Sequence, residues 1–142
     1  GIYYNGFDST WDGSNDAYLV KFDPQGNRIW GTYYGGTSMD EGYAVATDAD
    51  GNVFLAGHTY STSGIASGGF QNTFGGGNND AFLVKFDSAG HRQWATYYGG
   101  EGDELFMFSS DIGVTADVNG NVYLAGTTNS TTGIRSRTGS GT

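Results

Sequence analysis

DAYLVKFDPQGNRIWGTYYGG, residues 16–36, returns without a gap as DAFLVKFDSAGHRQWATYYGG at residues 80–100. The offset is 64 residues. Internal repetition on that scale is the mark of a stacked repeat architecture, so the repeat is aligned before any element is assigned. Downstream, DGNVFLAGHT (50–59) matches NGNVYLAGTT (119–128) at an offset of 69, so five residues enter the second copy after Gly100, in EGDELFMFSSD. Upstream, GIYYNGFDSTWDGSND matches GIASGGFQNTFGGGNND with one residue fewer, and a third Gly-Ile pair, Gly133 and Ile134, marks where another copy would begin.

Each copy reads as four short strands. GYAVATD (42–48) and NVFLAGH (52–58) flank a tight DADGN turn, and DAFLVKF (80–86) and RQWATYY (92–98) flank DSAGH, giving two hairpins joined by the long Gly/Ser/Thr stretch 60–79. In each turn the Asp opens the bend by bonding nearby backbone and the Gly takes the positive φ, as in Asp23/Gly26, Asp48/Gly51 and Asp87/Gly90. Residues 104–110 fall in the inserted stretch and interrupt this pattern.

Four antiparallel strands per repeat predict an all-β protein built of β-propeller blades, in which both faces of a blade pack against neighbours. The third strand fits, with Tyr18, Val20 and Phe22 on one face and Ala17 and Leu19 on the other. Lys21 and Lys85 interrupt it; snorkelling along apolar surface is preferred over pairing with an acid of the adjacent blade. On the outermost strand Trp30, Thr32 and Tyr34 share one face and Tyr33 the other. The tyrosine pair therefore reads as two-sided packing, and the glycines of TYYGG as the turn into the next blade.

The combination GxAVxxDxxGNVYLAG, a Ser/Thr/Gly loop, then DAFLVKFDxxGxxxWxTYYGG resembles the SBBP-type β-propeller repeats of bacterial surface and secreted proteins. Its first hairpin is also similar to NHL-type blades. The resemblance spans residues 1–134, divided into repeats 1–63 and 64–132, with a tail at 135–142. It implies that 43–48 lies innermost and 92–98 outermost in a blade, and that the protein is extracellular or displayed on a cell surface.

The chain thus holds an outer hairpin (16–34), one complete blade (43–98) and an inner hairpin (112–128). The two half-blades lie at opposite ends, so they are expected to pair between chains, inner hairpin to outer hairpin. That contact is heterologous and gives a ring or a filament. A non-catalytic structural or adhesive homo-oligomer is the leading expectation. A fragment of a larger surface protein and a carbohydrate-binding propeller are the alternatives.

Composition narrows the partners. Fifteen acidic against six basic residues give a formal charge of −9, a poor surface for nucleic acid or anionic membrane. No 18-residue apolar run is present for membrane insertion, and the absence of cysteine removes disulfides, thiol nucleophiles and cysteine–zinc sites. His58 aligns with Thr127 and His91 with Asn27, which reads as ordinary strand-end and turn chemistry. No Ser–His–Asp arrangement emerges, and no close carboxylate pair is expected at equivalent places in both copies, so no enzymatic activity is expected.

Acidic residues do collect where one blade passes to the next. Asp40, Glu41, Asp103 and Glu104 are the candidate Ca²⁺ ligands, set against the plainer reading of a solvated acidic rim that also includes Glu101 and Asp111. Loop aromatics are the other candidates, because loops on a rigid scaffold often carry recognition. Trp11 and Phe70 are the candidate glycan contacts, although Phe7, Trp11, Phe70 and Phe74 are more simply read as pinning each long loop to its own blade; Tyr3 and Tyr4 belong to the same loop. Phe106, Met107 and Phe108, which have no counterpart, join Trp30 and Tyr34 as candidate subunit contacts. Asn129-Ser130-Thr131 matches the N-glycosylation pattern.

Overall fold

The computed structural model describes residues 6–104 and 111–134, and every regular element among them is a β-strand. An outer hairpin, β1 (Ala17–Phe22) with β2 (Arg28–Tyr34), is followed by a four-stranded antiparallel sheet in the order β3 (Asp40–Thr47), β4 (Val53–Thr59), β5 (Asp80–Phe86), β6 (Arg92–Tyr98). An inner hairpin, β7 (Gly113–Ala116) with β8 (Val122–Ala125), completes the described chain. This is the half-blade, blade, half-blade arrangement that the repeat predicts. Tyr3, Tyr4, the candidate contacts Phe106, Met107 and Phe108, and the tail 135–142 lie outside the described residues.

The hairpin turns form as their Asp and Gly require. Asp23 Oδ1 accepts the Gln25 and Asn27 N–H groups, and the Gly26 N–H closes on the Asp23 carbonyl at 3.0 Å with Gly26 at φ +83°. Asp48, Asp87 and Asp117 repeat the pattern. The Asn27 side chain donates to the same carboxylate and, with the backbone bonds, holds it below the usual range.

The complete blade is buried on both faces. On one side Leu55, Phe82, Val84 and Phe86 meet Ala17, Leu19, Trp30 and Tyr34 of the outer hairpin; on the other Phe54, Ala56 and Leu83 meet Ile112, Val114, Val122 and Leu124 of the inner hairpin. β1 departs from two-sided burial. Ala17 and Leu19 are buried, but Tyr18 and Phe22 stand about 60% exposed, because none of the described residues packs on that face as a preceding blade would. The equivalent Phe82 and Phe86 of β5 are fully buried.

The long loops cover the outermost strands. Ser67 and Ala95 exchange backbone hydrogen bonds at 2.9 Å, Tyr97 N–H reaches the Gln71 carbonyl, and Tyr33 N–H reaches that of Asp8. The outer edges of β2 and β6 are thereby closed; among the described residues the inner sides of β1, β3 and β7 and the outer side of β8 carry no strand partner.

Candidate functional site: the open blade edges and the seams between blades

The open edge of β1 borders a groove of about 960 Å³, lined by Trp11, Tyr18, Val20, Phe22, Tyr33 and Val45 among others. It lies where the inner hairpin of a preceding blade would sit. The β8 edge is the complementary feature: Tyr123 is exposed beside it, on the face turned away from the complete blade.

The seam between the outer hairpin and the complete blade shows how two blades join in this protein. Tyr34 stacks within 5.4 Å of Phe82 and meets Phe86 edge-on at 5.9 Å, while its hydroxyl donates to the Ile65 carbonyl. Burial pushes that phenol well above its ordinary pKa, so it remains a donor. Lys21 Nζ and Trp30 Nε1 both donate to the Ser88 carbonyl, at 3.0 and 3.1 Å. Lys21 thus caps a backbone carbonyl of the next blade rather than pairing with an acid, and Lys85 sets its ammonium 5.5 Å over the Phe54 ring. Trp30 and Tyr34 are buried inside this seam, and their counterparts Trp94 and Tyr98 occupy the corresponding places facing the inner hairpin.

Each seam also contains a carboxyl pair, contrary to the expectation that no such pair recurs. A β-carbon built on Gly35 would stand 2.6 Å from Asp16 Oδ1 and 2.9 Å from Asp40 Oδ2; one on Gly99 would stand 2.3 Å from Asp80 Oδ1 and 2.5 Å from Glu104 Oε2. Asp40 is bound by the Gly36 N–H, Thr59 and Ser61, and Glu104 by the Gly100 N–H, Thr128 and Ser130, the same set in both copies. Asp80 Oδ2 takes the Gly75 N–H at 2.6 Å. Asp80 Oδ1 and Glu104 Oε2 are buried without another donor. A proton on Asp80 would give each of them a partner. Burial, together with the Glu104 carboxyl, raises Asp80 to about 7.

The glycines of TYYGG therefore have a different role from the turn expected of them. Neither repeat's pair has a positive φ. Gly35 and Gly99 leave room for the two carboxyls, and Gly36 and Gly100 let the following connection approach: a β-carbon on Gly100 would lie 2.0 Å from the Thr132 carbonyl oxygen. The pair was legible in outline, since Asp40 and Glu104 each stand four residues beyond the second glycine. Placing the inserted residues after Gly100, rather than after Glu104, hides that equivalence.

The candidate Ca²⁺ ligands fall into separate networks. Asp40 and Glu104 face N–H and O–H donors, as above. Glu41 accepts the Tyr43 hydroxyl at 2.7 Å and lies 3.2 Å from His58 Nε2, and Asp103 takes the Asn78 N–H at 2.6 Å. Among the described residues no three His, Cys, Asp or Glu side chains converge. Burial holds the His58 imidazole below its ordinary pKa, between Tyr43 and Tyr60. His91 is exposed and pairs with Asp87 in its turn.

The loop aromatics divide. Phe74 packs edge-on against Tyr97 at 5.9 Å, and Phe7 lies 6.2 Å from Tyr34, so these two do anchor their loops. Trp11 is 61% and Phe70 75% exposed, so neither pins its loop.

A family model described as SBBP, beta-propeller repeat, matches residues 29–65, which run from β2 through β4 to the Ile65 that receives Tyr34. The sequence is also similar to an uncharacterized WD repeat-containing protein of Acanthamoeba polyphaga mimivirus, at 29% identity over 124 residues. That match covers 82% of this chain and 8% of the relative's length. Residues 29–65 thus match an SBBP-type β-propeller repeat, and the antiparallel sheets of the described residues are consistent with β-propeller blades.

Proposed function

We propose that this chain is a non-catalytic structural module that completes its two half-blades by pairing with a second copy, β8 of one against β1 of the next, in a ring or filament at the cell surface. The observation that carries this reading is the pair of open edges at opposite ends of the chain. Each belongs to a hairpin whose missing partner the other end supplies. Within the complete blade β4 pairs with β5 as Val53↔Phe86, Leu55↔Val84 and Thr59↔Asp80. Carried through the repeat, that register sets Val122 opposite Phe22, Leu124 opposite Val20 and Thr128 opposite Asp16 of the second copy. Tyr18, Val20, Phe22 and Tyr33 of that copy would leave solvent, each large apolar side chain contributing about 1.5–3 kcal/mol. The carboxyl pairs support a structural reading: Asp80 is fully buried and takes the Gly75 N–H, and Glu104 is held by the Gly100 N–H and the Thr128 and Ser130 hydroxyls.

Sedimentation equilibrium of the whole chain tests this, with Val20→Lys as the blocking variant. Val84, the counterpart of Val20, is fully buried in the complete blade, so a lysine there prevents pairing while leaving the folded monomer intact. A second reading is favoured by the relative's far greater length: further repeats in one polypeptide supply the closing hairpins. Extending the chain by one repeat at each end would then abolish association.

A further inference from the structure

Phe7 and Phe70 hold the same place in the two copies of the long loop, and the backbone around them is laid down alike. A β-carbon on Gly6 would meet the Gly31 carbonyl oxygen at 2.4 Å, and one on Gly69 would meet that of Ala95 at 2.4 Å. Thr32 Oγ1 accepts the Asp8 N–H at 2.8 Å, and Thr96 Oγ1 accepts the Gln71 N–H at 2.8 Å. The two phenylalanines differ only in what stands beyond them. Phe7 reaches across to the complete blade, 6.4 Å from the Phe86 ring, with the Arg92 guanidinium 4.3 Å over its face. Phe70 points where the next outer hairpin would be and is 75% exposed.

The repeat identifies what fits there. Phe86 and Arg92 correspond to Phe22 and Arg28, on the β1–β2 hairpin, and Phe22 is itself 59% exposed. A second seam contact carries over in the same way. Lys21 and Trp30 grip the Ser88 carbonyl; their counterparts are Lys85 and Trp94, and the counterpart of Ser88 is Pro24. We infer that Phe70 is the anchor on which the outer hairpin of a second copy docks, with Phe22 and Arg28 of that copy closing over its ring and its Pro24 carbonyl taken by Lys85 and Trp94. This rests on the composite-blade reading and names its contact residues.

The test is sedimentation equilibrium of Phe70→Ala, Phe22→Ala and the double variant, with Val20→Lys and Val118→Ala alongside. Val118 is 87% exposed in the β7–β8 turn and serves as a control. The expected result is a weakening of association by about tenfold or more for each phenylalanine variant, a double variant that loses less than the product, and no change for Val118→Ala. Circular dichroism of the Phe70→Ala monomer stays unchanged, because the ring is exposed. Wild-type association by Phe70→Ala, with Val20→Lys monomeric, would overturn the Phe70 anchor and leave strand pairing standing. A wild-type chain that fails to associate would overturn both, and strictly multiplicative losses would show that Phe70 and Phe22 do not meet.

Discussion

Asp80 Oδ1 and Glu104 Oε2 face each other across Gly99, both buried and both without another donor, at the junction between the complete blade and the inner hairpin. Asp80 opens β5 and Glu104 leads toward β7, so a proton on Asp80 directed at Glu104 would tie two blades together. Glu104 and the phenol of Tyr97, which burial raises to about 12, are the titratable groups facing Asp80. Two carboxylates at this separation repel when both are charged.

The sign of the pH dependence follows. Asp80 is raised from 3.8 to about 7, so the folded protein retains a proton that the unfolded chain has released. This contribution is complete below pH 3.8 and is lost as pH rises through about 7, with a slope of up to about 1.4 kcal/mol per pH unit. Asp80→Asn keeps an acceptor for Gly75 N–H and presents a permanent donor to Glu104. Its stability relative to wild type is expected to grow between pH 4.5 and 7.5 in urea melts; a constant difference would contradict the shared proton.

His58 acts in the opposite direction. Burial lowers its pKa from 6.5, so the unfolded chain takes up a proton before the folded one does, and stability falls as pH drops below 6.5. His58→Thr, which copies the residue at Thr127, is expected to flatten the acid limb of the wild-type curve without changing the limb governed by Asp80. The same series of urea melts checks it.

Gly99→Ala is expected to destabilise by about 1–3 kcal/mol or more, since its methyl group would displace both carboxyls. Gly113→Ala is the control. Nothing lies within 4 Å of a β-carbon there, and its counterpart in the first copy is Ala44, so the change is expected to be neutral or slightly stabilising. Thermal midpoints of the two variants decide the matter. Equal effects would mean that TYYGG needs its glycines for conformation rather than for space.

Much of this fold is legible from periodicity and turn chemistry because both are local. The hairpins around Asp23, Asp48, Asp87 and Asp117 follow from residues within five positions of each other. The inner strand starts at Asp40 rather than Gly42 because Asp40 and Glu41 continue the ladder opposite Thr59 and His58, with the Asp40 N–H also bonding the Asn15 carbonyl, contacts that alternation does not reveal. The carboxyl pairs depend on one alignment choice, the position of the inserted residues. The exposure of Tyr18 and Phe22 depends on the neighbouring blade rather than on local pattern, since their counterparts Phe82 and Phe86 are buried where that blade is present, and Phe70 is more exposed than its counterpart Phe7 for the same reason.

Trp11 and Phe70 separate assembly from sugar recognition. Both are exposed rings, and both lie at proposed blade contacts, Trp11 in the β1 groove. Trp11→Ala is expected to weaken association and leave a glycan array blank. Glycan binding by the wild type that Trp11→Ala removes without changing its mass in solution would favour the carbohydrate-binding reading.

The composite blade is tested most directly by native mass spectrometry of the whole chain across micromolar concentrations. Two blades per chain predict a closed trimer or tetramer, six or eight blades, or an open series of higher species, within or built from the usual range of blades. A folded, monodisperse monomer throughout that range would contradict it.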